Sequence, residues 1–346
     1  METVENSLPK MQTMTPQARL MKMSLAYGVS RLLHVAAELN LADCLADGSR
    51  TAEELAVQTG THAPSLHRAM RALSDLGMFR EDSEHRFCLT PLSEALKSGA
   101  PGSVRSTVLM LTGDLFCRAM DNLLFSVRTG KTGFEQAFGM SFFEWLENHP
   151  DQASMFSETM VGYHGPEHAA VVAAYDFSVF ETIIDVGGAT GNFLAAILGR
   201  YAQPRGILFD VPHVVRNAPA LIESRGLRDR IRIEPGSFFE RVPEGGDAYL
   251  LSQIIHDWDE KQCLTILLNC RRAMNPDSRL LIVERVIPNG DARHPAKRLD
   301  ISMLVLTGGQ ERTELEYSEL LEKAGFRLVR VHPTESTVSV IEAVPA

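Results

Sequence analysis

The apolar positions of this chain change period along its length. From Thr15 the spacing is helical, and Leu20, Met23, Leu25, Tyr27, Val29, Leu32, Leu33, Val35 and Ala36 spread round more than one face, so the segment either packs inside its own domain or meets a second copy of the chain. Thr51-Ala52-Glu53-Glu54 is a capping box that starts a short helix, which Gly60 stops; Pro64 opens another through Leu66, Met70, Leu73 and Leu76, ended by Gly77. Met78-Phe79-Arg80 and Arg86-Phe87-Cys88-Leu89 bracket the turn residues Asp82, Ser83 and Glu84, which predicts a small hairpin. Three helices and a hairpin predict a winged-helix domain. Pro101 and Gly102 mark a linker, and from Val104 to Phe177 the pattern is helical again and rich in Phe and Met.

Beyond Phe177 strands and helices alternate. Strands are predicted at 183–186, 206–209, 231–234, 247–251 and 280–283, so this part is an α/β, doubly wound parallel sheet. The two closing stretches, Phe326 to Val331 and Val338 to Ile341, have period two and add an antiparallel hairpin at the sheet edge. The domains are therefore expected at 1–102 and 103–346, the second with a helical substrate-binding part at 103–178 and a sheet core at 179–346. Residues 1 to about 14 have no period and are expected to be mobile.

Composition narrows the function. With 346 residues, 45% of them hydrophobic, there is room for two or three domains with proper cores. A formal net charge of −10 weighs against a nucleic-acid partner. The helix that would read DNA sets His67, Arg68 and Arg71 against Asp75, and the hairpin carries Glu81, Asp82 and Glu84, so a winged-helix transcriptional regulator is only a remote alternative. Five cysteines with no Cys-x-x-Cys pair give neither a disulfide framework nor a zinc site, and no metal is expected. No signal core and no apolar run of about eighteen residues is present, which places the protein in the cytoplasm and off the membrane.

The candidate chemistry gathers at the carboxyl ends of the predicted strands, where ligands of such sheets lie. Ile183-Ile184-Asp185-Val186-Gly187-Gly188-Ala189-Thr190-Gly191 reads as a strand and a glycine turn before a helix, and Asp210 closes the next strand, where an acidic side chain can hold two ribose hydroxyls. Counted from Gly187, the third and sixth places of the dinucleotide pattern are Ala189 and Asn192, so a nucleoside without a pyrophosphate, such as S-adenosylmethionine, fits better. Ser237 and Phe238 follow the third strand, His256 the fourth, and Glu284 ends the fifth. A neutral imidazole with a pKa near 6.5 suits removal of a proton from a phenol, whose own pKa is near 10. Glu284 beside one ring nitrogen would fix the tautomer, and Glu311, on a loop entering a helix, is a second such carboxylate.

The order Asp185-Val186-Gly187-Gly188-Ala189-Thr190-Gly191, Phe209-Asp210-Val211-Pro212-His213, Gly236-Ser237-Phe238-Phe239, His256-Asp257-Trp258-Asp259-Glu260, Glu284-Arg285-Val286-Ile287-Pro288 and Gly308-Gly309-Gln310-Glu311-Arg312-Thr313 resembles the cation-independent S-adenosylmethionine O-methyltransferases of the caffeate and acetylserotonin type and their bacterial natural-product relatives. The resemblance covers nearly the whole chain. It implies a Rossmann-like methyltransferase core behind a winged-helix dimerisation domain, a homodimer in which the amino-terminal helix of one chain closes the pocket of the other, and a small hydroxylated aromatic or polyketide-like acceptor. It further implies that Gly187, Asp210, Ser237 and Phe238 hold the cofactor and that His256 is the base, flanked by Glu284 and Glu311. Three positions depart from the family pattern: Ala189 replaces the middle glycine, Ser237 an aspartate, and Ser252 a lysine common in plant members, each touching a cofactor contact. Phe116, Phe138, Phe142, Met155, Met160, Tyr163, His164, Met303 and Leu306 are the candidates for an apolar acceptor pocket. The alternative activity is a diverged one on the same cofactor: C- or N-methylation, decarboxylation, hydroxylation or a pericyclic step.

Overall fold

The computed structural model describes residues 14–100 and 102–346, so the expectations for the first residues and for Pro101 fall outside the described part. The chain divides into two compact units, Met1–Gly113 and Asp114–Ala346.

The first unit begins with helices Pro16–Ser24, capped by the Thr15 hydroxyl, and Ala26–Glu38. The capping box at Thr51 and Glu54 starts helix Ala52–Thr59, and Gly60 ends it at φ 65°, a left-handed value glycine adopts without strain. Helix Ala63–Asp75 then lays Leu66, Met70 and Leu73 onto the core. Strands β1 (Phe79–Glu81) and β2 (Phe87–Leu89) pair antiparallel, and Phe79 and Phe87 close that core from the hairpin side. The first two helices leave large apolar side chains uncovered: Leu25 is 69% and Tyr27 64% exposed, and Leu20, Met21 and Met23 are exposed as well. Burying them needs another surface. The hairpin also gathers three residues that the sequence keeps apart, His67, Glu81 and His85, into a group with metal-ligating atoms within 4.8 Å of one another, where no metal site was expected. Hydrogen bonds from both imidazoles to the Glu81 carboxylate already account for that grouping.

The second unit is built on a seven-stranded sheet: β3 (Thr182–Val186), β4 (Arg205–Asp210), β5 (Ile231–Pro235), β6 (Ala248–Ser252), β7 (Arg279–Glu284), β8 (Phe326–Pro333) and β9 (Ser339–Pro345), in the order β5-β4-β3-β6-β7-β9-β8. The first five run parallel, and β9 joins antiparallel to β7. Strands buried on both faces read as unbroken apolar runs. Here one face packs Ile184, Phe209, Tyr249, Leu251 and Ile282, and the other Ile183, Leu208, Leu250 and Leu281. The order reverses between β3 and β6, and the crevice there is where the topology opens a site. A long helix, Pro150–Ala174, packs on the helix that follows β3, Asn192–Arg200. Among the described residues no helix is long and apolar enough to cross a membrane.

The segment expected to line a pocket splits in two. Phe138 is a packing residue, with its ring 4.5 Å from Phe134, 4.9 Å from Trp145 and 4.3 Å under the Arg118 guanidinium. Phe116 and Phe142 belong to the same aromatic cluster.

Candidate active site

At the end of β3 the chain turns through Gly187 (φ 75°) and Gly191 (φ 83°), with the Gly187 N–H bonded to Phe209 O at 2.8 Å. The glycines are steric requirements. A Cβ on Gly188 would lie 2.5 Å from Asp185 Oδ2, and one on Gly187 2.5 Å from Ile254 Cδ1 and 3.3 Å from Phe238 Cε1. Ala189 sits at φ 51°, a left-handed conformation that costs an L-residue about 1–2 kcal/mol, and its N–H donates to Asp210 Oδ2 at 2.9 Å. The other oxygen of Asp210 accepts from the Val211 N–H at 2.7 Å. The glycine turn, Asp210 and Phe238 thus meet around one crevice. Ser237 stands at its β5 side, its Oγ accepting from the Phe239 N–H at 3.3 Å, and Ser252 closes β6 opposite Val283.

Beneath the turn Asp185 is 1% exposed, and its Oδ2 has no hydrogen-bond partner. Burial, and then the charge of Asp210, raises its pKa to about 7. An orphaned carboxylate oxygen under a glycine turn calls for a donor or a cation from outside the chain. A nucleoside carrying an ammonium group and vicinal hydroxyls fits a crevice bordered by carboxylates and an aromatic ring of this kind.

His256 lies on a short 3₁₀ turn, Ile255–Asp257, just beyond β6. Its Nδ1 is 2.7 Å from Glu311 Oε1, so the ring is held by that carboxylate. Glu284 does not touch the ring, contrary to the sequence expectation. Its Oε1 accepts from the His256 backbone N–H at 3.0 Å and its Oε2 from the Tyr317 hydroxyl. Glu284 ends a central strand pointing at the turn, whereas Glu311 arrives on a loop tied down by Gln310 N–H to His256 O at 2.8 Å and Glu311 N–H to Asp300 Oδ1 at 2.9 Å. Burial of His256 works against its protonation, but Asp257, Glu311 and Glu284 together outweigh it and push its pKa up to about 9. The direction is opposite to what an imidazole of ordinary pKa, expected from the sequence, would show.

Of the remaining candidates, Met155 and Met160 are half-buried on the long helix, Tyr163 is exposed on it with Arg285 Cζ 5.5 Å from its ring centroid, and Met303 is buried on helix Ala296–Leu306. Sequence reasoning missed Tyr317, which reads as a core residue of an amphipathic helix, and Arg312, whose buried guanidinium donates to Ile255 O at 3.2 Å and Gln310 O at 3.0 Å. Arg312 ties the turn that carries His256 to the loop that carries Glu311, and Tyr317 holds Glu284. Asp185 stood inside a quoted motif, but its burial was not legible there.

Residues 121–327 match the O-methyltransferase domain family, and residues 21–99 the O-methyltransferase dimerisation domain. The chain belongs to the O-methyltransferase family. Phenazine O-methyltransferase PhzM of Lysobacter antibioticus is 45% identical over 326 residues, which are 94% of this chain and 95% of that protein. The 8-amino-8-demethylriboflavin N,N-dimethyltransferase of Streptomyces davaonensis is 34% identical over 332 residues, 95% of each. Among solved structures, that of NcsB1, an O-methyltransferase from neocarzinostatin biosynthesis in complex with S-adenosylmethionine and 2-hydroxy-5-methyl naphthoic acid, superposes with a TM-score of 0.82 at 31% identity, covering 92% of this chain and 96% of that one. This chain is thus an S-adenosylmethionine-dependent methyltransferase of the bacterial natural-product type, and S-adenosylmethionine is its cofactor. The dimerisation domain explains the apolar side chains left uncovered by helices Pro16–Ser24 and Ala26–Glu38. Light scattering at micromolar concentration is expected to give twice the 38.2 kDa chain mass, and the double variant Leu25→Glu, Tyr27→Glu a monomer. A monomeric wild type would contradict this account of those side chains.

Proposed function

We propose that this enzyme transfers a methyl group to a hydroxyl of an aromatic or polyketide-like small molecule, with His256 as the general base. The observation that carries the reading is the 2.7 Å contact between His256 Nδ1 and the buried Glu311 carboxylate. An acceptor-only carboxylate on Nδ1 keeps that nitrogen protonated and leaves Nε2 as the atom that takes the substrate proton. Glu284 sets the backbone of the turn and Glu311 the ring, and both stabilise the imidazolium that forms. Asp210 holds the ribose hydroxyls, Gly187 lets the backbone approach, Phe238 and Ser237 face the adenine, and Ser252 lies along the same crevice. When bound, S-adenosylmethionine supplies a methyl group on a cationic sulfur. Positive charge brought into the pocket opposes protonation of His256 and so lowers its pKa toward neutrality. Met155, Met160, Tyr163 and Met303 form the apolar side of the acceptor pocket, and Phe116 and Phe138 support it from the aromatic cluster.

N-methylation is the second reading, favoured by the 34% identical N,N-dimethyltransferase. A neutral arylamine has a free lone pair and needs no base before attack. A buried histidine ringed by Glu284, Glu311 and Asp257 is suited instead to a hydroxyl, whose proton must leave. Incubating the enzyme with S-adenosylmethionine, EDTA and an aminophenol decides between them by NMR of the product. O-methylation is expected; an N-methyl product, or none without added metal, would overturn the proposal.

A further inference from the structure

A group of polar side chains gathered round the long helix Pro150–Ala174, with Glu167 and Arg285 buried among them, has no part in the chemistry above. Glu167 stands at its centre. Its Oε2 accepts from His164 Nδ1 at 2.7 Å and from Gln253 Nε2 at 3.3 Å, and its Oε1 from Thr337 Oγ1 at 3.0 Å and from the Arg285 guanidinium. Arg285, 3% exposed, also donates to Gln253 Oε1 at 3.2 Å. Four segments meet here: the long helix, the loop leaving β6, the end of β7 and the β8–β9 loop. Gln253 precedes the His256 turn at φ 56°, and Arg285 follows Glu284 directly, so the group borders the proposed catalytic site. Desolvating a Glu–Arg pair is costly, and a hydrogen-bonded network round a buried pair of this kind fixes one arrangement of the groups it holds.

The ring that this network holds in place is that of His164. Burial works against the ionised form of Glu167, but His164, Arg285 and Thr337 outweigh it, so the carboxylate is ionised and only accepts. Nδ1 of His164 therefore carries the ring proton. Burial also lowers the His164 pKa, which leaves the ring neutral and Nε2 with a free lone pair. Nε2 makes no hydrogen bond among the described residues, and the side chain keeps 14% exposure, so this nitrogen is not sealed in the core. His256 is near enough for its charge to act on His164.

We propose that His164 forms a second polar subsite of the acceptor pocket, its Nε2 accepting a hydrogen bond from a hydroxyl or amino group that the aromatic acceptor carries besides the hydroxyl to be methylated. The proposal rests on the O-methylation reading. The acceptors it selects are dihydroxy- and aminohydroxyarenes. Carboxylates are not selected, because the Arg285 charge is already taken by Glu167 and the free nitrogen of His164 repels an anion.

The test uses the full-length enzyme with 1-naphthol, 2-naphthol and the dihydroxynaphthalene isomers. In the wild type the best diol is expected to exceed both naphthols at least tenfold in kcat/KM. His164→Phe is expected to bring that ratio to about one, and His164→Gln, which still offers an acceptor oxygen, to recover several-fold preference. A ratio of one in the wild type, or an unchanged ratio in His164→Phe, would overturn the subsite. So would a tenfold loss of S-adenosylhomocysteine affinity in His164→Phe with the diol preference intact, which assigns His164 to the cofactor. If no naphthol is methylated, the O-methylation reading fails separately, and calorimetry of diol against naphthol binding decides the subsite without turnover: preference lost in His164→Phe supports it, and equal binding in the wild type overturns it.

Discussion

His256→Ala is expected to lower turnover by roughly 10²–10⁴-fold while leaving the affinity for S-adenosylmethionine within a few-fold. The substitution removes the imidazole bonded to Glu311 and keeps the backbone N–H that Glu284 holds, so the turn after β6 stays in place. Nothing at Gly187, Asp210 or Phe238 changes. Without the ring the hydroxyl to be methylated loses the base proposed to take its proton, and the oxygen remains a weak nucleophile. Steady-state rates on a phenolic acceptor, with calorimetry of cofactor binding on the same preparation, make the comparison. Near-normal turnover would remove the base assignment, and a parallel loss of cofactor binding would move His256 from the chemistry to the cofactor.

Gly309→Ala is expected to be nearly as damaging. A Cβ there would stand 2.0 Å from His256 O and 2.5 Å from Asp257 C, both backbone atoms that cannot swing aside. The loop must retreat, and with it go the Gln310 bond to His256 O and the placement of Glu311 two residues on. A displacement of about 1 Å in a reacting group can cost roughly a hundredfold in rate. Overpacking of this kind also destabilises by about 1–3 kcal/mol, a fall of several degrees in Tm. Turnover down at least fiftyfold or so, with cofactor affinity within a few-fold, is the expected pattern. Full activity would show that the His256–Glu311 contact survives a shift of this loop and is not held by it.

How much of this was legible in the sequence depended on how local the signal was. The capping box at Thr51, the glycine stop at Gly60 and the apolar runs of the five parallel strands are written in neighbouring residues, and all stand where the pattern put them. The division of labour between Glu284 and Glu311 is not local. It depends on which of two carboxylates, 28 and 55 residues from His256, reaches the ring and which the backbone. The partnership of Glu167 with Arg285, 118 residues apart, was invisible for the same reason. Phe138 looked like a pocket residue because an aromatic in a Phe-rich helical stretch has the same signature whether it faces a ligand or another ring. The raised pKa of His256 required three carboxylates to converge, which no spacing announces. Ala189 is the reverse case: the sequence marked it as a departure, and the left-handed backbone it occupies shows what the departure costs.

The pH dependence of kcat/KM with both substrates below saturation tests the central claim most directly, because it reports the unliganded enzyme. The protonated imidazole is the inactive form, so a pKa pushed up to about 9 places the rising limb above neutral pH. Glu311→Gln removes one of the negative charges that raise it, while the titration of the substrate hydroxyl stays where it was. The account predicts a wild-type limb near pH 9 that moves to lower pH in Glu311→Gln. A limb at the same pH in both enzymes would assign it to the substrate or to another group, and would contradict His256 as the base.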